Sequence, residues 1–327
     1  MGGRNYTVDF IRTLGALSVI AVHMHYGGIG DQAVNVISLF ARWAVPFFFM
    51  ASGFYFEGKS RFNLNGEFLK TLKNLIGIFI ASNLIYFFIA AKTEYYTLSD
   101  IFSLRSILLG DYIHLWFIGA MIFAYILLWF ILSNGWGKLM LPLSILILLF
   151  VLIVDPYSTF FNIHIEGPFA RFLISVPFLF IGFVYSQNSA NRIFNIVTGS
   201  ALTLFGFLLQ FVEGYVIFYH SKKNLFRHEF LLGTFLLAIG IFILSQSIKT
   251  NKDTLISRIG REYSLLIYLY HPLIIVVVFF LIKKMGLQGP NYLLWFNPIT
   301  VFAITLLIVS IIEKRFPSIL RFISGKN

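Results

Sequence analysis

Arg12 and His23 stand eleven residues apart in an apolar stretch. That spacing is about three helical turns, so a helix there sets a cation and an imidazole on one face, roughly 16 Å apart along its axis. Asp9 lies on nearly the same face, whereas His25 is about 200° round from His23 and cannot join the row. A fixed cation toward one end of a helix and an imidazole toward the other suit a long anionic cofactor lying along it. The same residues also admit a plainer arrangement, with Arg12 reaching lipid phosphates and His23 bonding a neighbouring helix.

Other groups with chemistry lie in apolar surroundings. Arg42 precedes Pro46, which removes a backbone hydrogen bond and kinks a helix, and Ser52-Gly53 follow, a pair that permits close helix approach. His114 and Trp116 open another apolar stretch, at a level where an aromatic belt is expected in any case. Arg171 falls in a further one. Tyr268, Tyr270 and His271 come just before Pro272, deep in an apolar run where an ionisable group is costly and seldom idle. His164, His220 and His228 read as surface residues of outer loops. The sequence has no cysteine, which excludes disulfides, a thiol nucleophile and thiolate metal sites. No metal site is expected, and chemistry must rest on histidine, serine, carboxylate and arginine.

The elements that must position these groups are membrane helices. Of the 327 residues 58% are hydrophobic and 12% charged, against about 45–50% and about 25% in soluble domains. Apolar stretches long enough to cross hydrocarbon run approximately Val8 to Tyr26, Val34 to Phe56, Phe68 to Ala91, Ile113 to Leu132, Leu139 to Val154, Phe169 to Tyr185, Phe194 to Val212, Phe230 to Ile248, Leu265 to Ile282 and Leu293 to Ile312. The expected fold is thus an all-α integral membrane protein of about ten transmembrane helices. With the N-terminus inside, Lys59, Arg61, Lys70, Lys73, Lys138, Lys249, Lys252, Arg258 and Arg261 are among a cytoplasmic majority of cations. Lys92, Arg105, Lys222, Lys223, Arg227, Lys283 and Lys284 lie outside, so both termini are expected in the cytoplasm. Asp9 and Arg12 interrupt the first stretch and no small-residue cleavage site follows, which argues against a cleaved signal peptide. The net charge of +11 fits loops facing anionic lipid, and no Lys/Arg run suggests a nucleic-acid partner. No linker or repeat divides residues 1–327, read as one domain.

The ordered set of Asp9, Arg12 and His23, then Val45-Pro46-Phe47-Phe48-Phe49-Met50-Ala51-Ser52-Gly53-Phe54, His114-Leu115-Trp116-Phe117, Phe178-Leu179-Phe180-Ile181-Gly182, Ser264 to Tyr268 with His271-Pro272, and Glu313-Lys314-Arg315-Phe316-Pro317 resembles the acyltransferase-3 family of bacterial integral membrane acyltransferases. The second of these segments is also similar to the membrane half of the vancomycin-resistance serine racemases, whose soluble racemase domain has no counterpart in this sequence. The resemblance implies transfer of an acyl group, usually acetyl, from cytoplasmic acyl-CoA to a hydroxyl outside, commonly on a cell-surface glycan, by an enzyme of the bacterial cytoplasmic membrane. It implies His23 as the essential histidine, with Arg12 as its partner cation and Asp9 beside it.

Lys70 and Lys73 stand where many members carry an Arg-x-x-Arg pair, which keeps positive charge and loses bidentate phosphate geometry. The donor's phosphates are then expected among Lys59, Arg61, Lys70, Lys73 and Arg12, with Ser52 also on the donor side. Its thioester would arrive near His23, acting either as general base or as the group that carries the acyl. Arg42, His114, Trp116, Arg171 and His271 are candidates for the acceptor side. The rival classes are a transporter or flippase of a small solute such as an amino acid, and an envelope scaffold. Against transport, the middle of the chain offers hardly any central carboxylate for ion coupling, and no inverted repeat is visible. The acceptor and the oligomeric state stay open.

Overall fold

The computed structural model describes residues 5–24, 37–90, 108–110, 112, 114–161, 163, 167–188, 195–221, 230–287 and 297–324. His25, His164 and His228, and the cations Lys92, Arg105, Lys222, Lys223 and Arg227, lie outside these. All regular elements among the described residues are helical. In chain order they are α1 (Tyr6–His23), α2 (Ala44–Ser60), α3 (Leu64–Ala90), α4 (Trp116–Ser133), α5 (Met140–Val154), α6 (Gly167–Gln187), α7 (Ile196–Ser221), α8 (Leu232–Ser247), α9 (Leu255–Glu262), α10 (Ser264–Lys284), α11 (Pro298–Arg315) and α12 (Pro317–Ser324).

Six stretches among the described residues are long and apolar enough to cross a membrane: Ile37–Ser60, Leu64–Phe87, Trp116–Ser133, Gly137–Val154, Ile196–His220 and Ser264–Lys284. Phe172–Gln187 and Leu232–Ser247 are shorter apolar helices. α1 and α11 have 18 residues each, but α1 carries Asp9 and Arg12 and α11 ends in Glu313-Lys314-Arg315. This is the helix inventory of a multi-pass membrane protein.

The break expected at Pro46 falls one turn earlier, at Arg42–Trp43, between a helical segment over 37–41 and α2. Proline has no N–H for the carbonyl four residues back and its ring crowds that carbonyl, which here belongs to Arg42. The ladder resumes where Phe47 N–H donates to the Trp43 carbonyl, at 3.1 Å. Pro142 is harmless because it sits in the first turn of α5. α4 and α10 both stop at a left-handed glycine, Gly135 (φ 71°) and Gly286 (φ 68°). After each, the last turn closes by paired bonds: Gly135 and Trp136 N–H to Leu132 and Ile131 carbonyls, Gly286 and Leu287 N–H to Lys283 and Ile282 carbonyls.

The chain forms two compact units, one of Met1–Phe48 and Ile193–Leu320, the other of Phe49–Arg192 and Arg321–Asn327. In the first, α1 packs against α8, α9, α10 and α11, and Ala16, Ile20 and Met24 share an apolar core with Ile267, Ile282 and Val301. α7 and α8 cross closely, because a Cβ on Gly206 would meet the Gly233 carbonyl and one on Gly233 the Gly206 carbonyl. The Glu213 carboxylate accepts from the Leu232 and Gly233 N–H groups at 3.1 and 2.6 Å and so caps α8. In the second unit α6 packs on α4 and α5, and α3 on α4. Gly53 and Gly182 bring α2 and α6 backbone to backbone, a Cβ on either colliding with the Leu179 or Met50 carbonyl. Ser52-Gly53 thus does permit close approach, as its composition suggested.

The tightest of these contacts is Gly260 on α9, where a Cβ would overlap the Asp9 carbonyl and crowd the Thr13 hydroxyl. Gly260→Ala is therefore expected to destabilise by about 1–3 kcal/mol, the range for overpacking. Gly58→Ala, whose Cβ meets nothing within 4 Å, should instead be neutral or stabilising by up to about 1 kcal/mol. Thermal unfolding of both variants in detergent checks the contrast, and equal midpoints would contradict the close α1–α9 contact.

Candidate functional site

The N-terminal end of α1 is fastened on several sides within the first unit. Asn5 caps the helix by accepting from Thr7 N–H at 3.1 Å, and its own amide donates to the Ser245 carbonyl at 2.8 Å. Tyr6 N–H donates to the Thr250 carbonyl at 3.2 Å. α9 then lies against the next turn, where the Thr13 hydroxyl donates to the Ile256 carbonyl at 2.6 Å and Gly260 abuts Asp9. Asp9 is completely buried, and Arg12 one turn on, 27% exposed, approaches it with Nη1 3.7 Å from Oδ1. A buried carboxylate needs such a partner, and its place in the first turn of α1 suits the helix dipole. The pairing sets Arg12 beside Asp9 as a partly exposed cation.

α9 is itself held in shape. Thr254 and Ser257 form a reciprocal capping box at its start. Arg261 grips Asp253 with both Nη atoms at 3.2 Å, a bidentate fork, and reaches Glu262 Oε1 at 3.2 Å. Its guanidinium also stands 5.8 Å over the Tyr6 ring. Sequence reading counted Arg258 and Arg261 only as loop cations and overlooked Asp253, Gly260 and Tyr6. The Thr254-x-x-Ser257 capping pattern was the available signal for a helix there.

The C-terminal end of α1 carries the imidazoles. His23 is its last helical residue and half-buried. The fully buried ring of His271 on α10 lies beside it, with centroids 5.4 Å apart and planes at 36°. The Tyr268 ring is 6.2 Å from His271. Pro272 explains how His271 is oriented. It has no N–H to give the Tyr268 carbonyl four residues back, and His271 Nδ1 lies 2.7 Å from that carbonyl oxygen and 3.1 Å from that of Ile267. Carbonyls only accept, so Nδ1 carries a proton.

Arg12, His23, Asp9, Arg42 and His271 all belong to the first unit, where Arg12 approaches Asp9 and His23 lies beside His271. The second unit holds the other candidates. Lys59, Arg61, Lys70 and Lys73 are exposed around the α2–α3 turn. Arg61 Nε bonds Glu57 Oε1 at 2.5 Å, while the buried Glu57 also accepts from the Ser186 hydroxyl at 2.8 Å. The Ser52 carbonyl accepts from the Tyr125 hydroxyl at 3.2 Å. His114 is fully buried against Tyr86 and Tyr112, with centroids at 4.9 and 5.6 Å, and Trp116 begins α4 half-buried. Arg171 lies on α6; its side chain is outside the described set. Among the described residues no group of three or more His, Cys, Asp or Glu side chains could hold a metal ion.

Comparison with known proteins supplies a family. A family model for acyltransferase-3, described as an acyltransferase domain, matches residues 5–313. Two proteins of Enterococcus faecalis, each named an amino-acid racemase, are similar to this chain. One is 27% identical over 300 residues, covering 83% of this chain and 41% of that protein. The other is 26% identical over 235 residues, covering 62% and 32%. The chain thus spans less than half the length of either relative. No solved structure gives a significant match.

The Asp253–Arg261 pair generates a pH prediction. The Arg261 hydrogen bonds, with help from the Ser257 hydroxyl and Arg258, hold the Asp253 carboxyl below the usual carboxylate range. A lowered folded value contributes stability above the unfolded value, and that contribution is lost as pH falls through the folded one. Asp253→Asn should therefore melt earlier than wild type at pH 7, with the gap closing only below about pH 4. Melting curves across that range check it, and a gap that persists in acid would assign Asp253 a role other than pairing.

Proposed function

This chain belongs to the acyltransferase-3 family, and from that membership we propose that it is a membrane O-acyltransferase. It moves an acyl group other than an aminoacyl group, acetyl in the simplest case, from cytoplasmic acyl-CoA to a hydroxyl of an acceptor outside, a cell-surface glycan. The observation that carries this reading is α1, with a fixed, partly open cation at one end and an imidazole at the other. That arrangement suits a donor whose phosphates and thioester are separated by a long arm.

In this reading Arg12, steadied by Asp9, holds a donor phosphate. His23 removes the proton from the acceptor hydroxyl as general base. The freed oxygen attacks the thioester carbonyl, a C–O bond forms, the C–S bond breaks, and His23 passes its proton to the departing thiolate. The products are an ester and CoA. Lys59, Lys70 and Lys73 are exposed and remain candidates for anion binding in the second unit, as does Arg61 beside Glu57. Ser52 is a donor-side candidate there, and Arg42, His114, Trp116 and Arg171 are acceptor-side candidates. We read residues 1–327 as one catalytic domain of about ten spans in the bacterial cytoplasmic membrane, both termini inside, and the family match over 5–313 supports one domain.

The racemase-named relatives do not favour an amino-acid activity for this chain, since it covers less than half of each.

Two experiments test the proposal. Reporter fusions after Lys59 and Lys252 should read cytoplasmic, and fusions near Thr97 and Lys222 external. The reversed pattern would leave the end of α1 that carries Arg12 on the wrong side for CoA. In the purified protein, His23→Ala should keep acyl-CoA binding and lose at least about 10²-fold in transfer. Arg12→Lys preserves the charge opposite Asp9 and loses the planar fork, so it should raise the donor KM while the protein stays folded. Normal turnover in His23→Ala, or an unchanged KM in Arg12→Lys, would remove those residues from the reaction.

A further inference from the structure

We propose that Glu57 is a positioning residue for donor binding, aiming Arg61 so that the outer edge of its guanidinium takes a phosphate of the acyl donor at two points. The inference rests on the acyltransfer reading, and it assigns Glu57, which the sequence left without a role, to the donor side.

The argument starts from two glycines. Gly53 and Gly182 bring α2 and α6 into backbone contact, and Glu57 and Ser186 each stand four residues further on, one turn along the same face. Helices this close place the side chains of the next turn within reach. The Ser186 hydroxyl donates to Glu57 Oε2 at 2.8 Å, and the carboxylate is 3% exposed. Its other oxygen, Oε1, accepts from Arg61 Nε at 2.5 Å, while Arg61 Nη2 donates to the Ser186 carbonyl at 3.4 Å.

A guanidinium carries its five N–H groups on a rigid plane with two usable edges. The side edge, Nε with the near N–H of Nη2, is taken up by α2 and α6. The outer edge, Nη1 with the second N–H of Nη2, has no partner among the described residues, and the side chain is 54% exposed. Two parallel N–H groups on a permanently charged fork match two oxygens of a phosphate. Lys59, Lys70 and Lys73, exposed around the same turn, are point charges that attract a phosphate without fixing its orientation. A free arginine would have to be ordered when the donor binds, and the grip of Glu57 lowers that cost in advance.

Electrostatics gives the test a sign. Glu57 is an anion near the place of a bound anion, so on charge alone its removal tightens donor binding. A role confined to joining α2 and α6 leaves donor affinity where it was. Only a role in aiming Arg61 makes the loss of a negative charge weaken the binding of a phosphate.

Dissociation of acetyl-CoA is measured by calorimetry on the purified protein in a maltoside detergent without anionic lipid. Arg61→Lys should weaken binding about tenfold, the effect of one lost hydrogen bond to a charged group. Glu57→Ala should weaken it by a similar factor. Glu57→Gln keeps an acceptor for Arg61 Nε and should restore the affinity. Added to Arg61→Lys, Glu57→Ala should weaken binding no further, because lysine has no fork to aim. The KM for acetyl-CoA in CoA release should follow these constants, and kcat should not.

Wild-type or tighter binding in Glu57→Ala, or an undiminished effect of Glu57→Ala in the Arg61→Lys protein, overturns the proposal. Should Glu57→Ala fail to fold, Glu57→Asp, which keeps the charge and withdraws it by one methylene, must weaken binding instead; wild-type affinity there overturns it as well. A lipid headgroup is the other source of phosphate for the fork, and titrations in bilayer discs of phosphatidylcholine and of phosphatidylglycerol separate the two. An Arg61→Lys protein whose acetyl-CoA constant changes only in phosphatidylglycerol discs assigns the fork to lipid and overturns the donor assignment. Normal acetyl-CoA binding in wild type with an unaffected Arg61→Lys removes this inference alone. A wild-type protein that binds no acetyl-CoA removes the acyltransfer reading together with it.

Discussion

In hydrocarbon a backbone carbonyl without a donor costs several kcal/mol, and Pro272 creates that situation at Tyr268, inside α10. The helix answers from its own sequence: the adjacent His271 turns its Nδ1–H onto the orphaned oxygen. A side chain recruited to repair a backbone defect can adopt few orientations. The repair also fixes one proton of the ring, because a nitrogen that faces a carbonyl must donate. The second imidazole of the site, His23, lies beside this ring, with centroids 5.4 Å apart.

The other end of α1 solves the opposite problem, which is how to keep a charge where charge is expensive. Asp9 is buried without remainder, and it is tolerated because Arg12 stands one turn away and α9 closes over the same turn. α9 can approach so closely only because residue 260 has no side chain. Its own geometry comes from a capping box and from the fork between Arg261 and Asp253. The result is a cation held beside a buried carboxylate and itself partly exposed. Apolar packing of Ala16, Ile20 and Met24 against α10 and α11 joins the two ends into one stiff rod. A rod of this kind can hold two groups at a fixed separation, which a loop cannot.

The second unit uses the same economy of small residues. Gly53 and Gly182 let α2 and α6 touch through their backbones, as helices without a hydrophobic driving force between them tend to do in lipid. The buried Glu57 spans Arg61 and Ser186 near the end of these helices. Lys59, Lys70 and Lys73 remain exposed at the turn. His114 differs from His271 in kind, being enclosed by Tyr86 and Tyr112.

What the sequence determined by itself was whatever local spacing and composition control. The apolar stretches announced membrane helices, Arg12 and His23 fell on one face of the first because eleven residues close about three turns, and Pro46 announced a kink in the second. His271 could be marked as consequential because an imidazole before a proline in an apolar run is costly. Its partner could not be read, since His23 and His271 are 248 positions apart in the chain and meet only when α1 packs on α10. The same holds for Gly260 on Asp9, for the Thr13 bond to Ile256, and for the grip of Arg261 on Asp253. Helical periodicity is a property of a few consecutive residues, so one strand of sequence displays it. Which helix covers which is decided by the close fit of small side chains and by the need to pair every buried polar group, and those are properties of surfaces that exist only once the chain is folded.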